Sequence, residues 1–218
     1  MKQAMGCFYV YWSVLSRLVE KPKEGKYFDY LNNENKDNFF FCVKQFKYYE
    51  YFAPFYLNHG YLVRSNLNDI QLIGSHLDHS NLRNANFNRA VLSNSELRFV
   101  CLASAKLRNA DLFGCDLSNS DLYHTNLYQT VLFGSVLENT NMEYALLVNA
   151  NLSNANFNGA YLRDANLYQA NVTNSSYLTY EQLAQTKTLY GCTGIPEDIE
   201  QKLRETHPHL FEAPKEKE

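Results

Sequence analysis

Proline is nearly missing from this chain. It has five in 218 residues, and none between 60 and 174. A segment without proline keeps every backbone donor and is free of the kinks that proline imposes. Cysteine is sparse as well. Cys7, Cys42, Cys101, Cys115 and Cys192 are scattered, odd in number and form no C-x-x-C pair. That spacing excludes a disulfide framework and a zinc site, and it suits a reducing, cytoplasmic compartment. No apolar run reaches 18 residues, so no transmembrane helix is expected. The apolar run from Gly6 to Leu15 follows Lys2 but is too aromatic for a signal peptide, and no small-x-small cleavage site follows it. Charge of one sign is lacking too. The net charge is −3, and residues 60–174 hold 7 basic and 9 acidic side chains. That balance argues against a nucleic-acid partner. There is no Gly-rich phosphate loop, nucleophile elbow or H-E-x-x-H motif. The chain is therefore expected to be no enzyme and to need no cofactor or metal.

What is present is a period of five. From Leu62 to Val172 every fifth residue is large and apolar, at 23 successive positions. All are Leu except Phe87, Met142, Phe157 and Val172. Two residues before each stands a small one in most repeats, as at Ala85, Ala90, Ser95 and Cys115. A helix turns 100° per residue, so leucines five apart would wind around it. In a strand an odd step changes face each time. Neither element keeps the leucines on one side. The chain must turn a corner about every five residues and stack as a β-solenoid. Taking the residue two after every fourth Leu gives Gly74, Asn94, Gly114, Gly134, Asn154 and Asn174. Gly and Asn tolerate a left-handed backbone best, so this column favours four sides and 20 residues per coil. At roughly 4.8 Å per coil, nearly six coils make a rod about 25–30 Å long.

Runs such as Ala85-Asn86-Phe87-Asn88-Arg89, Ala110-Asp111-Leu112-Phe113-Gly114, Ala150-Asn151-Leu152-Ser153-Asn154 and Ala165-Asn166-Leu167-Tyr168-Gln169 resemble the pentapeptide-repeat family, with its Ala-Asp/Asn-Leu-x-x pattern. The resemblance covers about half the chain. It implies an all-β solenoid, a right-handed quadrilateral β-helix with helical N-terminal and C-terminal caps. The family is functionally diverse, so the resemblance does not assign an activity.

The flanks differ in composition. Residues 1–56 hold 17 of the 32 aromatic residues and read as an aromatic-rich helical N-terminal cap or small domain. Met5, Phe8, Trp12, Leu15 and Val19 mark one helix face, ended by Pro22 and Gly25; Phe39, Val43, Phe46 and Tyr49 or Ala53 mark a second, ended by Pro54. Residues 57–175 are assigned to the β-helix. After Asn174 the period stops. Thr179-Tyr180-Glu181-Gln182 reads as a capping box opening a helix with Leu183 and Ala184. Pro196 opens another, with Ile199 and Leu203 on one face and Pro208 as its stop. Residues 176–212 thus form a C-terminal helical cap, resembling the segment that closes many members of the family. Residues 213–218 form a frayed tail.

The outward positions offer little chemistry. Asp111, Asp116 and Asp121 fall on successive sides and form a belt. His76 and His79 share one side of one coil without a completing acidic or cysteine column, and His124 stands alone. Lys106, Arg108 and Arg89 make a small basic spot. Outward Asn residues are expected to pair along the rod in ladders. The apolar residues are more telling. Ile73, Val91, Phe113, Val131 and Phe133 fall on one side; Tyr128, Leu146, Val148 and Tyr168 fall on the next. An exposed apolar patch marks a partner site, or else it packs under the N-terminal segment or stacks for stability. The expected function is a non-catalytic protein-protein interaction scaffold, anchored by Phe113, Phe133, Val131, Tyr128, Tyr168, Leu146 and Val148, its protein partner unidentified. A homodimer through a solenoid end or the C-terminal helices is a further expectation. Two alternatives stand beside it. The resemblance admits a DNA-mimicking topoisomerase (gyrase) modulator, as in the family's quinolone-resistance branch. The aromatic N-terminus admits a secreted bacterial effector, docking in a host cell.

Overall fold

The computed structural model describes residues 54–213. The two N-terminal helices expected from the aromatic spacing lie outside the described residues, as does nearly all of the C-terminal tail. From Tyr56 onward the chain bridges to itself in parallel register at an interval of 20: Tyr56 to His76, Tyr61 to Asn81, and so on to Asn156 with Ser176. The coil is therefore four-sided. Side 1 is centred on Leu57, Leu77, Leu97, Leu117, Leu137 and Phe157. Side 2 runs from Leu62 to Leu162, side 3 from Leu67 to Leu167, and side 4 from Leu72 to Val172, each in steps of 20. The inward positions between Leu57 and Val172 are all 2% exposed or less. Burying each such side chain contributes about 1.5–3 kcal/mol.

The local geometry explains the period. The residue two after each inward one has a positive φ, between 51° and 65°, at every repeat from His59 to Asn174. The N–H that follows usually bonds back to the inward residue's carbonyl, as Ser65 N does to Leu62 O at 3.1 Å. A left-handed third residue and a four-to-one bond are the marks of a type II turn. The turn consumes so much of each repeat that a single residue per side remains to bridge. The solenoid is thus built from single-residue parallel bridges, with no longer strand among the described residues.

Four sides are present, but the Gly/Asn column is not what marks them. The left-handed residue is not confined to the Gly/Asn column; it occurs at every corner, including His79, Phe99, Tyr144 and Gln169. At many corners the residue before the inward one helps to hold this shape. Its Asn or Asp oxygen accepts the backbone N–H two residues on, as from Phe113 to Asp111 at 2.9 Å, Ser118 to Asp116 at 3.0 Å and Tyr168 to Asn166 at 3.0 Å. These Asx turns pin those corners locally, while repeats with His76 or Glu96 before the inward residue form the same left-handed corner without one. Ladder pairs between coils exist, such as Asn86 Nδ2 to Asn66 Oδ1 at 3.4 Å, but they are long and few. Small hydroxyls inside the rod donate across coils, as Thr125 Oγ1 does to Leu102 O at 2.9 Å.

The repeat ends at Tyr177, which takes an inward position in the count but has φ 58° and points outward, 66% exposed. Leu178 is buried instead. Helix α1, Tyr180–Ala184, follows, with the Thr179/Gln182 capping box formed as expected. Gln182 Nε2 donates to Phe157 O and Ala160 O at 2.9 Å each, covering carbonyls at the end of the rod. The coil then resumes at an interval of 22: Asn166 bridges Thr188 and Asn171 bridges Thr193. Leu189 is buried like any repeat leucine, and Gly191 takes the left-handed corner at φ 68°. At Gly194 a side chain would meet Thr173 Cα at 2.3 Å, so glycine is required there. Helix α2, Glu197–Thr206, and a 3-10 turn, Pro208–Phe211, close the end with Leu203 and Leu210 buried.

A candidate partner-binding surface

Each outward side chain has neighbours about one coil above and below it, so columns of identical spacing decide what meets what. The expected patch assembles in two such columns. Phe113 and Phe133 follow side 4 and stack with ring centroids 5.5 Å apart and planes 2° from parallel. Val91, Asp111 and Val131 form the bridged column beside them. Ser93 Oγ donates to Asp111 Oδ2 at 2.8 Å, which holds that carboxylate within the patch. Ile73 is 54% exposed, Phe113 43% and Val131 36%. Beyond side 3 the column runs Arg108, Tyr128, Val148, Tyr168. The Arg108 guanidinium lies 4.9 Å from the Tyr128 ring centre. Tyr168 stacks on Tyr190 at 5.5 Å. Leu146 is exposed, while Val148 and Phe133 are half-buried. Tyr190 escaped the sequence reading because it is 22 residues from Tyr168; the residue pattern Thr188-Leu189-Tyr190-Gly191 was the available signal.

Charge is distributed unevenly around the rod. Sixteen charged residues occur between 60 and 174. Counting each side with the corner that follows it, side 1 carries Asp78, Glu96, Arg98, Asp116 and Glu138. Side 2 carries six, side 3 carries four, and side 4 carries Asp111 alone. The four on side 3 (Asp69, Arg89, Lys106 and Arg108) all lie in its first three coils. Side 4 and the later half of side 3 therefore form a nearly uncharged surface of Phe, Tyr, Val, Leu, Asn and Ser.

The polar candidates resolve differently from their linear reading. Asp111, Asp116 and Asp121 do diverge onto three sides. His76 is not bare: Glu96, one coil on, lies 2.7 Å from its Nδ1, and Tyr56 stacks on its ring at 4.6 Å. Arg98 joins Glu96 at 3.0 Å and Asp78 at 2.5 Å. Its guanidinium is held above the usual range by the Asp78 hydrogen bond and charge. His79 lies between His59 and Phe99 in a stack with spacings of 4.9 and 4.8 Å. His124 is not alone either, since it stacks on Tyr144 at 4.8 Å. Arg89 of the basic spot is paired with Asp69 through two bonds of 2.8 Å. These partners escaped notice because they lie 20 residues away. Among the described residues no group of three His, Cys, Asp or Glu is placed to hold a metal ion. Cys115 packs inward, and burial pushes its thiol up to about 12.

The profile of pentapeptide repeats matches residues 70–109, 101–139, 110–147 and 140–176, with eight copies in all. The chain belongs to the pentapeptide-repeat family. Its solenoid is accordingly the right-handed β-helix of that family. Among solved structures it is similar to HetL of the cyanobacterium Nostoc, a pentapeptide repeat protein involved in heterocyst differentiation regulation. The identity is 26%, over 63% of this chain and 65% of HetL, with a TM-score of 0.47. A pentapeptide repeat protein of the cyanobacterium Cyanothece is 37% identical, over 41% of this chain and 58% of its own, with a TM-score of 0.34. QnrB1, a plasmid-mediated fluoroquinolone resistance protein, is 18% identical, over 66% and 83%, with a TM-score of 0.37. The chain thus spans less than two thirds of the length of the first two. A comparison with curated proteins finds no match. No helix among the described residues is long and apolar enough to cross a membrane.

Proposed function

We propose that this pentapeptide-repeat rod is a non-catalytic protein-binding scaffold whose recognition surface is side 4 with the later half of side 3. The observation that carries this is the charge distribution: one charged residue of sixteen follows the side that also bears Ile73, Phe113, Val131 and Phe133. Protein interfaces are depleted of charge and enriched in aromatic residues at their centre. Phe113 and Phe133 are the anchors, with Val131, Tyr128, Val148, Leu146 and Tyr168 around them. The same distribution weighs against duplex mimicry, since no side carries an unbroken run of carboxylates. The free thiols of Cys101, Cys115 and Cys192 support a reducing compartment such as the cytoplasm.

The test is capture from the native host by the wild-type chain and by the double variant Phe113→Ser/Phe133→Ser. The reading expects one partner retained by the wild type and lost by the variant at an unchanged melting temperature. Equal capture by both removes the assignment. A gyrase supercoiling assay run in parallel should show neither inhibition nor protection.

A further inference from the structure

A cleft of about 470 Å³ opens where helix α1 meets the last coils on sides 1 and 2. That volume is within the range of small ligand sites. Its aromatic lining is Tyr161 and Tyr177, which are 58% and 66% exposed and, with Tyr61, the most exposed large apolar side chains described. The charged lining is Glu143, Arg163 and Glu181. Arg163 is already bonded to Glu143 at 2.7 Å. The Glu181 carboxylate has no ion pair among the described residues, so the cleft keeps one unbalanced negative charge.

The molecule shows elsewhere what such rings attract. Lys202 Nζ lies 3.8 Å from the centre of the Tyr180 ring, Arg204 lies 4.0 Å over Phe211, and Arg108 lies over Tyr128. Tyr161 and Tyr177 meet neither a cation nor another ring among the described residues. We infer that this cleft receives an organic cation, the guanidinium or ammonium head of a partner's Arg or Lys side chain, between the two tyrosines and against Glu181. Ring faces attract cations through their quadrupole, and a nearby carboxylate adds charge complementarity. The site lies on the side of the rod opposite the apolar surface and does not rest on that reading.

Nuclear magnetic resonance titration of the full-length chain tests it, with acetyl-arginine methylamide, tetramethylammonium and the neutral acetyl-citrulline methylamide as probes. Both cations should shift the Tyr161, Tyr177, Glu181 and Gln185 resonances. If the arginine derivative binds at least fivefold more tightly than tetramethylammonium, a peptide side chain is the source; the reverse order points to a free alkylammonium. Glu181→Gln and Tyr177→Ala should each weaken cation binding at least fivefold, and Glu181 is exposed in the first turn of α1, so its replacement by Gln leaves the fold intact. Equal shifts with the citrulline derivative, or cation binding unaltered by both substitutions, would overturn the inference. Phe113→Ser should leave the titration unchanged, so failure here and failure of the apolar surface are read separately.

Discussion

Sides 1 and 4 share one backbone, one turn and one core, yet present opposite surfaces. Side 1 carries the linked polar cluster of Tyr56, His76, Glu96, Arg98 and Asp78. Side 4 carries the Phe113–Phe133 stack and a single carboxylate. The inward residue sets the fold, while the flanking positions are free to vary and carry the difference. A solenoid therefore separates stability from recognition more fully than a compact domain, where one side chain often serves both.

The largest test of that separation is inside. Leu117→Ala on side 1 and Leu112→Ala on side 4 should each destabilise by about 2–5 kcal/mol in chemical denaturation. Both leucines are 0% exposed. A near-neutral result for one of them would break the equivalence of the sides. Next comes the surface. The double change Phe113→Ser/Phe133→Ser should lower partner affinity at least tenfold, while His76→Ala on side 1 leaves it unchanged, measured by calorimetry with the captured partner. Smaller still, Asp78→Ala should cost about 1 kcal/mol, because it strips bonds from the Arg98 N–H and guanidinium. Solvent screening keeps the loss low, since the Arg98 side chain is 43% exposed. Its counterpart on side 4, Ser93→Ala, should stay within about 0.5 kcal/mol. The smallest effect is chemical. In the native protein Cys115, its thiol raised to about 12 by burial, should resist alkylation at pH 8 while the half-buried Cys101 reacts, read by peptide mass spectrometry.

The period was legible because each Leu solves the same local problem, and so the leucines from 62 to 172 needed no partner to be placed inward. The C-terminal helices were legible for the same reason: Thr179 with Gln182, and Pro196, act within one turn of chain. Local signals also mislead. The Gly/Asn column looks like a sign of the corner, but the corner is left-handed everywhere, and Phe99 and Tyr144 occupy it as well. His76 looked unaccompanied because Glu96 is 20 residues away. Tyr190 was lost because the two extra residues introduced around α1 shift the interval to 22.

By itself the sequence determined the five-residue step, the inward leucines and the turn at each corner, since those depend on dihedral preferences and on burial within a few residues. Only the tertiary structure decided how the outward side chains pair and where the interval departs from 20. That depends on the coil's circumference, which sets the 20-residue interval, and on the shift to 22 past Tyr177, which joins Tyr168 to Tyr190 and opens the cleft beside Tyr161.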